Sequence, residues 1–137
     1  MRRNVDDKWQ QRIAWHELGH AIVGKKLGLA IGEVVHSGED GKTTYSRRDD
    51  QWHEYAVFCM AGSVGEWLWE KHNNGGFGSR AYCQGDLAEF KKTVDGRRLS
   101  ESDARAKARK ILRGDLARIR RLAPELIRTG RLSGSQI

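Results

Sequence analysis

The ten residues Ala14-Trp15-His16-Glu17-Leu18-Gly19-His20-Ala21-Ile22-Val23 constrain this chain more than any other stretch. Two histidines four positions apart leave a helix from one face, and a carboxylate directly follows the first. Neutral imidazole is a good ligand for Zn²⁺. Two of them from successive turns supply half a tetrahedral site, and a third protein ligand leaves one position for water. Zinc brings the pKa of that water towards about 7, where a neighbouring glutamate can take its proton. The spacing therefore assigns His16 and His20 as metal ligands, Glu17 as catalytic base and Zn²⁺ as cofactor. Three fixed residues recur by chance in roughly one such chain in a hundred. The apolar or small flanks, and a glycine at position 19 that lets another backbone approach, favour the metal site over two histidines on a surface helix.

A chain of 137 residues reads as one domain, 1–137, able to bury a core but without room for a separate ATPase or receptor module. It has no run of about 18 apolar residues, and the start Met1-Arg2-Arg3-Asn4-Val5 lacks the apolar centre of a signal peptide, so a cytoplasmic protein with no membrane segment is expected. Cys59 and Cys83 form neither a disulfide framework nor a CxxC pair. Cys59 reads as a buried free thiol in an apolar helical run, and Cys83 as a minor candidate for a zinc ligand.

The formal charge of +7 is concentrated at one end. Residues 96–137 hold twelve Lys or Arg against four acids, a balance of +8, and the preceding residues sum to −1. Such a block attracts nucleic acid or an acidic partner. No aromatic residue follows Phe90, however, so no stacking platform is interleaved with the arginines, and a solvated helix face is the commoner explanation.

Periodicity predicts a mainly α (α+β) fold. A first helix is expected from about Asp6 to Lys26, with Trp9, Ile13, His16, His20, Val23 and Leu27 on its inward stripe and Gly28 as its stop. Residues 31–36 and 42–46 read as a β-hairpin joined by a turn that contains Asp40-Gly41. The nearby Gly38-Glu39-Asp40-Gly41-Lys42-Thr43 has two residues between its glycines where a phosphate loop needs four, so nucleotide binding there is rejected. A second helix is expected from about Asp50 to His72, with small residues at 61–63 and 65 for close packing on the zinc helix. Residues 73–79 read as a flexible loop, and a third helix begins at Gln84 with Asp86 in its first turn. Ser100 to Leu122 should be helical and split at Gly114. Pro124 opens a short last helix stopped by Gly130, and the tail 131–137 is irregular.

The residues leave the third metal ligand open. Asp86 is well placed if the loop delivers it to the histidines, although an aspartate there is commonly only a helix cap; Glu89, Glu54 and His72 compete. Glu66 is either a solvent-facing charge or a carboxylate that fixes the tautomer of a zinc histidine.

Taken in order, His16-Glu17-Leu18-Gly19-His20-Ala21, the hairpin, Ala61-Gly62-Ser63-Val64-Gly65-Glu66, the glycine-rich loop, Gly85-Asp86-Leu87 and Arg128-Thr129-Gly130-Arg131-Leu132-Ser133-Gly134 resemble the peptidase domain of FtsH-type AAA+ zinc proteases over nearly the whole chain. The resemblance implies a mainly helical domain with a small β element, His16, His20 and Asp86 as zinc ligands, Glu17 as base, and Glu66 close to the zinc histidines. Ser63 and Gly65 depart from the family pattern, which carries larger or different residues there. FtsH-type enzymes also carry membrane helices and an ATPase module, so the expectation is a relative acting alone and independently of ATP, or with a partner ATPase in trans. The expected activity is that of a zinc metalloendopeptidase with a peptide or protein substrate. Alternatives are a regulatory peptidase resembling the ImmA/IrrE group, with Glu54 as third ligand, and a non-catalytic zinc-stabilised module that binds nucleic acid or protein.

Overall fold

A computed structural model of the chain describes residues 2–73 and 83–137. Among these lie five helices, α1 (Lys8–Lys26), α2 (Trp52–Asn73), α3 (Gln84–Val94), α4 (Glu101–Gly114) and α5 (Leu116–Thr129). Three strands, β1 (Ala30–His36), β2 (Gly41–Ser46) and β3 (Arg131–Ser133), form one antiparallel sheet in the order β2-β1-β3, so among the described residues β2 is an edge strand. The fold is mainly helical with a small sheet, as expected. No helix of the described residues is long and apolar enough to cross a membrane.

α1 is the axis of the domain. Asp7 caps it by accepting the Gln10 amide at 3.0 Å, and Gly28, at φ +91°, carries the chain away from its end. The expectation of a single inward stripe needs correction, because every residue from Arg12 to Gly24 is buried. α2 covers one side of α1, α5 packs on it as well, and the hairpin lies across it. The α1–α2 crossing is close enough to require glycine: a Cβ on Gly19 would stand 2.6 Å from the Ala61 carbonyl oxygen, and one on Gly65 would run into that of Trp15. Gly65 is therefore fixed by its neighbour.

The hairpin turns through residues 37–40, which include Asp40, while Gly41 already pairs opposite His36; the left-handed residue is Gly38, at φ +98°, and Ser37 closes the loop by donating its amide to the Asp40 carbonyl at 2.9 Å. Two local expectations are overturned. Pro124 does not start a new helix. α5 runs through it, with the ring on the solvent side and Ile119, Leu122, Ala123, Leu126 and Ile127 buried, so packing outweighs the one backbone bond that proline removes. The tail is also ordered: Leu132 pairs opposite Val34, both inaccessible, and residues 134–136 form a 3₁₀ turn. Gly114 does separate α4 from α5, and Ser100 caps α4 by accepting the Asp103 amide. The expected loop at 73–79 falls outside the described residues beyond Asn73, which ends α2.

His36 locks the hairpin to α1. The ring is 1% exposed; Nε2 donates to the Gln10 carbonyl at 2.9 Å and Nδ1 accepts the Gly38 amide at 3.0 Å, a pattern that only neutral imidazole completes. Burial, outweighing the Gln10 hydrogen bond, lowers its pKa from the usual value. A histidine depressed in the fold contributes stability above its unfolded pKa of about 6.5, and loses it as pH falls through the folded value. His36→Gln keeps one donor and one acceptor without titrating. In urea unfolding of the metal-free proteins, the parent should therefore lose stability relative to His36→Gln between pH 7.5 and 5. Parallel pH profiles would remove His36 as the source. Shared contributions, including the opposite one from His16, cancel in the difference.

Candidate metal centre

Helical spacing places His16 and His20 side by side on α1, and α3 brings Asp86 to them. Asp86 Oδ2 lies 3.0 Å from His16 Nε2 and 2.9 Å from His20 Nε2, and the two Nε2 atoms are 3.2 Å apart. Ligands of a tetrahedral ion at about 2.0–2.1 Å stand about 3.3 Å from one another, so the triangle has the size that such an ion needs. The three residues form a group able to hold a metal.

Hydrogen bonding fixes the tautomer of both histidines. His16 Nδ1 donates to Glu66 Oε2 at 2.6 Å, and His20 Nδ1 donates to the Phe58 carbonyl at 2.7 Å. Neither partner can donate, so both Nδ1 atoms carry the proton and both Nε2 atoms present lone pairs. Two lone pairs and a carboxylate in contact inside the protein repel one another unless a cation or a proton sits among them. Without a cation, the same contacts favour a proton on His16. Burial alone would lower His16, but hydrogen bonds to Asp86, Cys83 and Glu66 and the charge of Glu17 outweigh it and hold the imidazole well above its usual pKa. Burial likewise acts to raise Asp86, yet the two histidines hold it well below the carboxylate range.

Gly62 on α2 gives the site its space. A Cβ there would stand 2.5 Å from His16 Nε2 and closer still to His20 Nε2. The small residues at 61–63 are explained on sequence grounds by helix packing alone; at Gly62 the reason is the imidazoles.

Behind His16, Glu66 is one of the most enclosed charges, at 2% exposure. One carboxylate oxygen accepts from His16 and from the Cys83 thiol at 2.8 Å, and the other meets the Arg12 guanidinium. Arg12 also reaches Glu70 at 2.9 Å. Burial tends to raise Glu66, but these donors keep it ionised with a lowered pKa. Burial raises Cys83, which stays a thiol and a donor, on the Nδ1 side of His16 and away from the three converging atoms. Cys59 is buried with its pKa pushed up to about 12, an inert thiol as expected.

Glu17, 5% exposed, turns Oε2 to 4.0 Å from His16 Nε2, while the Thr43 hydroxyl stands 2.9 Å from Oε1 and donates to it. Gly41 faces this side chain and a Cβ there would be 2.7 Å from its Cγ, so glycine opens β2 for the Glu17 side chain rather than for a turn. Glu17, both histidines and Asp86 line a cleft of about 460 Å³ with Thr43, on the edge strand, and Tyr55.

The other proposed ligands stand outside the triangle, although Glu89 lines the same cleft. Glu89 accepts the Tyr55 hydroxyl at 3.0 Å, His72 Nδ1 takes Arg120 at 3.0 Å, and Glu54 belongs neither to the His16–His20–Asp86 group nor to the second metal-competent group among the described residues, His16 with Glu66 and Cys83. Arg12, Thr43 and the Phe58 carbonyl are the participants that sequence reasoning missed. Arg12 had a signal, since it is four residues before His16 and shares its face. Thr43 had none without the hairpin register. No protein-family model matches the chain, and no curated protein matches it either.

Proposed function

We propose that the chain is a zinc-dependent metallopeptidase that hydrolyses peptide bonds, organised like the peptidase domain of FtsH-type proteases. The observation that carries this reading is the convergence of three lone-pair atoms, on His16, His20 and Asp86, beside the Glu17 carboxylate in a cleft along the edge strand β2. Those three residues would hold the ion. Bound zinc supplies Lewis acidity, which acidifies water and polarises a scissile carbonyl.

The chain's own groups do the rest. Glu17 Oε2 accepts the proton of the attacking water and returns it to the leaving amine nitrogen. Thr43 holds Oε1, so the carboxylate keeps one oxygen aimed at the ligand triangle. Glu66 and the Phe58 carbonyl keep both imidazoles in the tautomer that binds metal. An extended peptide adding to β2 would run past Glu17 and present its backbone carbonyl to the cleft.

A regulatory peptidase of the ImmA/IrrE kind would use Glu54 as third ligand, and the position of Asp86 favours the FtsH-like arrangement. Zinc titration against a competing chelator separates them. Asp86→Ala should weaken zinc by more than about 100-fold, with Glu54→Ala close to the parent. Tight zinc in Asp86→Ala, or loss in Glu54→Ala, sinks the assignment.

A further inference from the structure

Trp67 on α2 gathers the cations that the sequence leaves without an aromatic partner. Lys71 Nζ stands 4.7 Å from its ring centre, Arg109 Cζ 5.5 Å and Arg113 Cζ 5.7 Å. Arg120 on α5, at 3.0 Å from His72, continues the strip past the end of α2. Two acids that share a cavity with Trp67 and Arg109 are engaged: Glu70 pairs with Arg12 and Glu101 with Arg105, each at 2.9 Å. Among the described residues no carboxylate lies within ion-pair distance of Lys71, Arg109, Arg113 or Arg120. Lys71, Arg113 and Arg120 are exposed, and Trp67 is half-buried.

Three like charges around one indole, no two more than about 11 Å apart, repel over a distance comparable with the Debye length, and a polyanion of similar charge spacing relieves that repulsion. The chemistry favours phosphates and bases over a run of carboxylates. Ten of the twelve cations in residues 96–137 are arginine, whose planar fork binds phosphate bidentately and stacks on rings. An indole offers a base a π-face, which a polycarboxylate cannot use, and an unpaired base can reach it where a duplex keeps its bases stacked. We propose that this α2–α4–α5 face binds single-stranded nucleic acid, with phosphates on Lys71, Arg109, Arg113 and Arg120 and a base on Trp67. None of these residues lines the metal cleft, so the face goes beyond the peptidase reading and stands or falls separately from it.

Fluorescence anisotropy of a fluorescein-labelled oligothymidylate of about 12 nucleotides, titrated with the full chain, tests this. Four phosphate contacts on a single strand give a slope of log K against log salt of about −2.8, close to a 50-fold loss between 50 and 200 mM salt. Arg109→Glu with Arg113→Glu should weaken binding more than tenfold and flatten that slope. Trp67→Ala should weaken it about fivefold or more, with Trp67→Phe near the parent because stacking survives. If Trp67→Ala fails to fold, the Arg109 and Arg113 pair, neither of them buried, decides. No binding below about 100 μM at 50 mM salt overturns the proposal, as does binding indifferent to these substitutions. Equal binding of a polyglutamate of matching length would also overturn it and make this a surface for acidic protein.

Discussion

Glu17→Gln should abolish peptide cleavage while the protein still takes up zinc. The amide keeps the shape of the side chain, and with it the Thr43 contact, but cannot accept a proton. General-base assistance is worth about 10²–10⁴ in rate, or roughly 3–5 kcal/mol of barrier, so kcat should fall by that factor. Zinc per chain and the cleavage of an unfolded protein substrate, measured side by side, check this. Full activity in the variant would exclude Glu17 as base, and with it the mechanism, whatever the metal content.

The second large effect is expected where no ligand is touched. Gly62→Ala would ordinarily help a helix, since alanine is favoured over glycine in helix interiors by up to about 1 kcal/mol. Here the methyl group collides with both Nε2 atoms, and neither ring can withdraw without breaking its bond to Glu66 or to the Phe58 carbonyl. Overpacking of this kind costs about 1–3 kcal/mol. Taken from metal binding, that is roughly a 5- to 150-fold loss of zinc affinity. Gly114→Ala, where an added Cβ meets nothing within 4 Å, is the control and should bind zinc like the parent. Zinc affinity equal in the two variants would show that the imidazoles do not need the space Gly62 leaves.

The legible parts of this chain are those in which a short stretch determines its own geometry. His16, Glu17 and His20 share one helix, so their spacing fixes their relation. Caps such as Asp7 and Ser100 and the stop at Gly28 act on the nearest turn. What escaped depends on partners far along the chain. β3 is three residues long and exists because Leu132 finds Val34. α5 survives Pro124 because its buried face is held from outside. Gly41 and Gly62 read as turn and packing glycines, although each leaves space for a side chain of α1. The arginines of α4 appeared to lack an aromatic because Trp67 comes from another helix. Asp86 is intermediate: its position at the start of a helix was visible, but joining it to the histidines required the family resemblance or the fold.

That junction has a consequence for how the domain is held together. His20 and Asp86 are 66 positions apart, and α3 buries only Phe90 and Thr93 of its own length. An ion shared by α1 and α3, as the proposed function requires, would therefore act as a reversible cross-link closing a long loop. By chain-entropy reasoning such a closure is worth about 4 kcal/mol, comparable with a disulfide of the same span. Chelation would then release more than a cofactor: α3 should exchange its amide hydrogens early, while the α1–α2 pair, sealed by Gly19 and Gly65, stays protected.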